Sequence, residues 1–564
     1  MKFFPVLGIF CALATRGLAL DREAFTFTNY ELNVRVEPEQ QRLAVRGKLV
    51  LRNDSAEPQS SLVLQISSSL DWRSIKAGGK AVHFVTQEYN SDIDHTGALS
   101  EAIVNLPQEV PPNGTIDMEV GYEGIIPLDV SRLTRVGTPE EKAKHADWDQ
   151  ISKSFTAVRG IGYVTWYPIA TEDASLTEGN SVEETIGHWK VRHANTVMKV
   201  SFAVTSGGKL WFSGTLGQLA TVSAGSKDEA PGDVALGLDA PTFVIADYQV
   251  MESGPWTVNY FPGEEDAAKA YLQVMTEADA IVAMGGGTEG LRVFALPDRA
   301  AAPFVTTGML LSPVTSPMTN ETELAIVYAK AHQSVPSPRA WIQDGLSHFA
   351  QAAFIGTHKG RQAALDYLNS HEAPLVEAEK TASSTNAEYK RDAERALINS
   401  IDDSYLQTKA MAVWWMLRDM VGESAFKSAL LAYKVTEDNQ PTYLQKIMEK
   451  EGQRDLQWFF DDWVYRDRGL PDFRVASVFS SPLTGGAFLV TITVENLGKA
   501  GAEVPLTLRT EKEDIRKQIE VRGNSKASIR IETQSAPQQV TVNDGSVPES
   551  DTSNNAYKVE SPNR

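Results

Sequence analysis

Two runs decide how this chain is read: Tyr328-Ala329-Lys330-Ala331-His332 and Trp341-Ile342-Gln343-Asp344-Gly345-Leu346. Pro336 and Pro338 stand between them, and a proline inside a helix removes a backbone donor and clashes with the preceding turn. The two runs are therefore expected on successive helices joined by a short connection. On the second helix Asp344 and His348 are spaced i and i+4 and share a face, with His332 on the helix before them. Two imidazoles and a carboxylate are the donor types that ligate a divalent ion. The plainer reading makes His348 a packed or surface histidine and His332 a relic, and it is the preferred one.

Outward from these helices, Ala410, Val413, Trp414, Leu417, Met420 and Val421 fall on one stripe ending at Gly422, the pattern of a core-facing helix. Upstream, 264–284 reads as a helix ending at Gly285-Gly286-Gly287. Before residue 255 the period is two, as in Tyr30-Glu31-Leu32-Asn33-Val34-Arg35-Val36, and turn residues such as Pro111-Pro112-Asn113-Gly114 punctuate the strands. The span 224–233 reads as a loose loop. Strands return after Phe473, in Phe488-Leu489-Val490-Thr491-Ile492-Thr493-Val494 and Val504-Pro505-Leu506-Thr507-Leu508. The expected fold is multidomain α+β: an N-terminal antiparallel β domain over 20–255, a mainly α-helical domain over 256–471 and a C-terminal β-sandwich over 472–564.

The 564 residues exceed what one hydrophobic core holds, and 42% hydrophobic residues exclude wholesale disorder. A net charge of -20 opposes binding to a phosphate backbone, so no nucleic-acid partner is expected. Lys2, the apolar run 3–14 and Gly17-Leu18-Ala19 read as a signal peptide over 1–19. The protein is thus expected to be secreted or periplasmic, with no transmembrane segment in the mature chain. The single cysteine, Cys11, lies in that leader, so any metal must be held by His, Asp or Glu.

Together these runs resemble the gluzincin zinc aminopeptidases, the family of membrane alanyl aminopeptidase and leukotriene hydrolase. Residues 341–346 are similar to the family's Trp-Leu-Asn-Glu-Gly-Phe, and Thr408-Lys409-Ala410-Met411 is similar to its Lys-Gly-Ala helix start. Asp455-Leu456-Gln457-Trp458-Phe459-Phe460-Asp461-Asp462-Trp463, followed by Gly469-Leu470-Pro471, resembles its late aromatic signature. Tyr167-Pro168 and Phe243-Val244-Ile245-Ala246 extend the likeness into the β domain. The resemblance implies a saddle-like N-terminal domain, a thermolysin-like peptidase domain and a terminal sandwich similar to adhesion-type modules of bacterial relatives.

In that family a helix carries H-E-x-x-H, whose two His grip one zinc while the Glu activates its water, and a Glu on the next helix completes the ligand set. Carried over here, His332 stands at the second His, Tyr328 at the first His and Ala329 at the general base. Neutral Tyr is a poor ligand and Ala accepts no proton. Asp344 stands for the third ligand, but follows His332 after twelve residues where the family has ~19, which implies a shortened connection and altered helix placement. The family's Gly-x-Met-Glu-Asn appears as Gly308-Met309-Leu310-Leu311, without the carboxylate that pairs with a peptide's ammonium, leaving Gly308 and Met309 as substrate-binding candidates. Gln407 occupies the place of the Tyr that supports the tetrahedral intermediate.

Two readings follow. In one, a membrane-alanyl-aminopeptidase-like protein with a degenerate zinc site binds a peptide or protein ligand in its cleft without hydrolysing it. In the other, a divergent zinc metallopeptidase holds its metal through the rearranged set His332, Asp344 and His348. Zinc is the cofactor that the resemblance implies, and whether the chain is an enzyme stays open at this point.

Overall fold

A computed structural model describes residues 20–177, 182–205, 208–213, 220–223, 228–229, 234–282, 290–377, 396–401 and 405–559. The leader read over 1–19, most of the loop read over 224–233 and the glycines at 285–287 lie outside these residues.

Alternation in the first strand, β1 (Phe25–Glu37), turns Tyr30, Leu32, Val34 and Val36 inward and leaves Glu31, Asn33 and Arg35 exposed. β1 pairs antiparallel with β2 (Arg42–Asn53) on one side and parallel with β3 (Val197–Val204) on the other. The N-terminal region is therefore not wholly antiparallel. A period of two reports which face is buried and is blind to strand direction, whereas parallel neighbours need a long crossover. The crossover here contains a three-stranded sheet and strand Phe155–Val158, which joins Phe243–Ala246, Lys209–Phe212 and Ala220–Ser223 in a four-stranded sheet.

A five-stranded sheet follows, built from β4 (Gln249–Ser253), β5 (Trp256–Tyr260), β6 (Arg292–Ala295), β7 (Phe304–Thr306) and β8 (Met309–Ser312) in the order β4-β5-β6-β8-β7. The hairpin β4–β5 spans position 255. β5 and β6 run parallel, with α1 (Glu265–Val282) between them in the chain. Ala268, Tyr271 and Met275 of α1 share a core with Val258, Val293 and Leu310 of the sheet and with Ile326 and Ala329 of α2 (Asn320–Ser334). The sheet thus fixes α1, and α1 fixes α2.

α2 begins at Thr319, whose hydroxyl accepts the Thr322 N–H at 3.1 Å, a side-chain cap on one of the free first-turn donors. It ends before Pro336, and α3 (Ala340–Lys359) starts after Arg339, whose guanidinium bonds Asp438 at 3.0–3.1 Å. Among the described residues the next α-helices are α4 (Arg361–Ser370), α5 (Met411–Val421) and α6 (Glu423–Ala432). α3 crosses the start of α5 at Gly345, where a Cβ would lie 2.5 Å from Ala410 Cβ and 3.2 Å from Trp414 Nε1. That Trp414 nitrogen donates to Trp341 O at 3.0 Å, and the two indoles stack at 5.4 Å.

From Phe473 onward two sheets, of three and four strands, enclose Val490, Ile492, Val494, Val504, Leu506 and Leu508. The second contains β9 (Ala502–Thr510) and β10 (Asp514–Val521). Trp463 of the helical region donates to Gly501 O at 2.7 Å and belongs to the same core, so the sandwich is seated on the helices. Among the described residues no helix is long and apolar enough to cross a membrane.

Gly345→Ala forces a methyl into the α3–α5 crossing. The expected outcome is a loss of about 1–3 kcal/mol, typical of overpacking, read as a lower urea midpoint at unchanged slope; an unchanged midpoint refutes the close crossing.

Candidate functional site

The site forms where α2 and α3 face each other and the loop carrying Asp239 reaches across from the N-terminal region. On α2, Tyr328 and His332 are one turn apart, with ring centroids 5.8 Å apart and nearly parallel planes. The Tyr328 hydroxyl donates to Asp344 Oδ1 on α3 at 2.8 Å. The same oxygen lies 3.4 Å from His332 Nε2, and Asp239 Oδ1 lies 3.5 Å from that nitrogen on another side. Thr307, in the turn between β7 and β8, donates its hydroxyl to Asp239. The Gln343 amide nitrogen is 3.0 Å from His332 Nε2 and 3.3 Å from Nδ1. The short connection therefore keeps the two helices face to face, and His332 and Asp344 do meet.

His332 is 5% exposed. Burial alone would favour its neutral form, but the carboxylates of Asp239 and Asp344 outweigh burial and lift it to about 9. Burial likewise opposes ionisation of Asp344, and the bond to His332, helped by Tyr328, holds its carboxyl below the usual range. The two carboxylates thus favour the protonated ring, while the Gln343 amide, whose oxygen accepts the Ser337 N–H at 3.2 Å, turns its NH2 towards the same ring. A metal would have to displace the proton that these carboxylates favour, because ligating imidazoles must be neutral.

His348 belongs to a different set of contacts. Burial depresses it to about 4, its Nδ1 is 3.1 Å from Gln351 Oε1, and its ring lies against Tyr328 at 4.8 Å. Gln351 in turn donates to Leu324 O at 3.0 Å, which holds this group against α2. Zinc needs deprotonated donors at about 2.0–2.2 Å around one point. Asp239 and Asp344 lie 3.5 and 3.4 Å from His332 Nε2. Among the described residues no group of three or more His, Cys, Asp or Glu side chains is placed to hold a metal ion. The residues present do not fit zinc.

The remaining candidates are dispersed. Ala329 is fully buried in the core with Tyr271 and Leu310. Lys330 puts its Nζ 3.3 Å from the centroid of the Trp256 ring, a cation–π contact towards the β4–β5 hairpin. Met309 is fully buried with Phe294 and Leu311, and Gly308 makes the left-handed β7–β8 turn at φ 75°. Gln407 sits on a π-helical turn, Leu406–Ala410, beside a buried group in which Lys409 Nζ donates to Tyr405 Oη and Asp467 Oδ1, both at 2.8 Å. Sequence reasoning missed Asp239 and Thr307, which lie in loops with no periodic or motif signal.

No family model and no curated protein matches the chain. Solved structures do match, among them aminopeptidase A of Legionella pneumophila in complex with aspartic acid, at a TM-score of 0.54 and 12% identity over 94% of this chain and 60% of that one. This chain has an aminopeptidase-like fold. It spans 60% of that neighbour's length, and at this identity the likeness concerns the order and packing of elements.

His332 titrates near 9 when folded, against the ordinary value of 6.5. Its raised value means that its contribution is complete below about pH 6.5 and is lost as pH rises through about 9. The urea midpoint is expected to fall across that window, by at most about 3 kcal/mol in stability, and His332→Gln is expected to flatten the decline while lowering the midpoint at pH 6. A wild-type profile already flat from pH 6.5 to 9 contradicts the assignment.

Proposed function

We propose that this protein is an exported, gluzincin-like homologue of the zinc aminopeptidases that binds a peptide or protein ligand without hydrolysing it. On this reading the N-terminal sheets form the saddle-like domain, the region of α1–α6 is the thermolysin-like domain, and the terminal sandwich is an accessory module. One observation carries the proposal: the imidazole that would hold the metal is engaged by Asp239 and Asp344.

Hydrolysis in the family rests on a metal that lowers the pKa of a bound water to about 7 and on a base that moves its proton. Here the first-His position donates a proton through Tyr328 to the carboxylate at the third-ligand position. The base position is Ala329, packed in the core. A positive charge is still present between the two helices, but it belongs to His332 and is balanced by carboxylates of the same chain. The fold keeps its electrostatic tie between α2 and α3 and gives up the chemistry.

Protein expressed with ample zinc and purified without chelator is expected to contain far less than one zinc per chain and to release no fluorophore from aminoacyl-coumarin reporters. Stoichiometric zinc, with turnover abolished by chelation and restored by zinc, contradicts the proposal and favours the rearranged ligand set His332, Asp344 and His348.

A further inference from the structure

The first strand of the sandwich, Phe473–Pro482, is an edge: it pairs only with Phe488–Asn496, which pairs on its other side with Ser525–Thr533. Its beginning is covered, since the Phe473 N–H donates to Glu549 and the Ser550 N–H to Pro471 O. Over 474–482 its outer side has no backbone partner among the described residues. A free edge is a template for another strand, and natural sheets blunt it with charge. The sandwich's other edges are protected in that way: Asp514, Arg516, Lys517 and Glu520 lie on one, Lys526, Arg530 and Glu532 on the second, and Lys558 on the third. Here no charged residue occurs over 475–494, across both strands of the hairpin, in a chain of which 22% is charged.

The register fixes which groups this edge offers. At the base of the hairpin turn the Leu483 N–H donates to Ala487 O at 2.7 Å, and antiparallel pairs alternate between hydrogen-bonded and non-hydrogen-bonded. The bonded pairs are therefore Ser481–Leu489, Phe479–Thr491 and Ser477–Thr493, and the N–H and C=O of Val478 and Ser480 point away from the neighbouring strand. The same count from the other end, where the Leu497 N–H donates to Asp472 O at 2.8 Å, turns the Phe473 N–H outward, where it meets Glu549; a bulge between Val475 and Ser477 joins the two phases. On the solvent face Phe479 stands at mid-edge, 74% exposed, between the exposed Ser477 and Ser481. Pro482, without an N–H, ends the stretch.

This edge is complementary to itself. A two-fold axis at Phe479 sets Val478 of each copy opposite Ser480 of the other, in pairs that exchange both N–H···O=C bonds, and brings the two Phe479 side chains face to face in the close, non-hydrogen-bonded pair between them. Charge selects the same occupant. Copies of a chain of net charge -20 repel one another, and the uncharged hairpin is where they approach without opposing like charges, while it gives an acidic or basic partner nothing to pair with. We infer that two copies of this chain associate through the edge at 474–482, joining their three-stranded sheets into one of six strands. The inference is independent of the protonation, metal content and ligand of the His332 site.

The test is sedimentation of the full chain over a range of concentrations, where a monomer–dimer equilibrium is expected. Ser480→Pro removes an outward N–H that its own sheet does not use and, by symmetry, two hydrogen bonds of the dimer, so it should weaken association about tenfold. Phe479→Lys installs the missing edge charge and should act in the same direction, with an unchanged urea midpoint because the side chain is exposed. Phe479→Cys, made with Cys11→Ser so that no other thiol is present, reads the contact itself: Cα atoms about 4.5 Å apart are within reach of a disulfide. Mild oxidation should therefore yield a covalent homodimer, whereas Val85→Cys, 54% exposed on the edge strand Phe84–Asn90 of the N-terminal region, should not. A chain that is monomeric at every concentration, a dimer indifferent to both F479K and S480P, or equal cross-linking through positions 85 and 479 overturns the inference.

Discussion

The site depends on one buried positive charge. His332, on a helix wedged between the five-stranded sheet and α3, is kept protonated by a carboxylate from each side: Asp344 on α3 and Asp239 on a loop of the N-terminal region. Removing one partner of a buried pair leaves an uncompensated charge at a cost of about 3–5 kcal/mol, so the three side chains constrain one another. A zinc ion at the same place would do similar electrostatic work between the helices, with water chemistry in addition. Here the tie is made by protons that the chain supplies itself.

This constraint explains the chemistry of the neighbouring positions. Tyr328 ties α2 to α3 directly, its hydroxyl donating to Asp344 at 2.8 Å. Ala329, the next residue, is packed against the α1 and sheet core. Gly345 matters for a different reason: it lets α3 approach Ala410 and Trp414 closely, beside the stacked Trp341 and Trp414.

Much of the architecture was legible in the residues, and the parts that were not have identifiable causes. Alternation over 30–36, the stripe from Ala410 to Val421 and the strands at 488–494 and 504–508 all occur as helix or strand, because burial of one face dictates their period. The two prolines and the twelve residues from His332 to Asp344 suggested altered placement of α2 and α3, whereas the packing brings Tyr328 and His332 to Asp344. The parallel pairing of β1 with β3 left no trace in a two-residue period. Motif carry-over gave chain position without side-chain direction, so Met309 was matched to a substrate-facing place and is instead buried beside Phe294. Asp239 was invisible because its role arises from a loop brought in by the fold, and spacing along one helix says nothing about such partners.

The central claim concerns a proton, and nitrogen NMR of the His332 ring measures it directly, with His332→Gln identifying the resonances. The account predicts an imidazolium at pH 7 that titrates near 9 and does not respond to added zinc. A neutral ring at pH 7, or resonances that move on stoichiometric zinc addition, would contradict it.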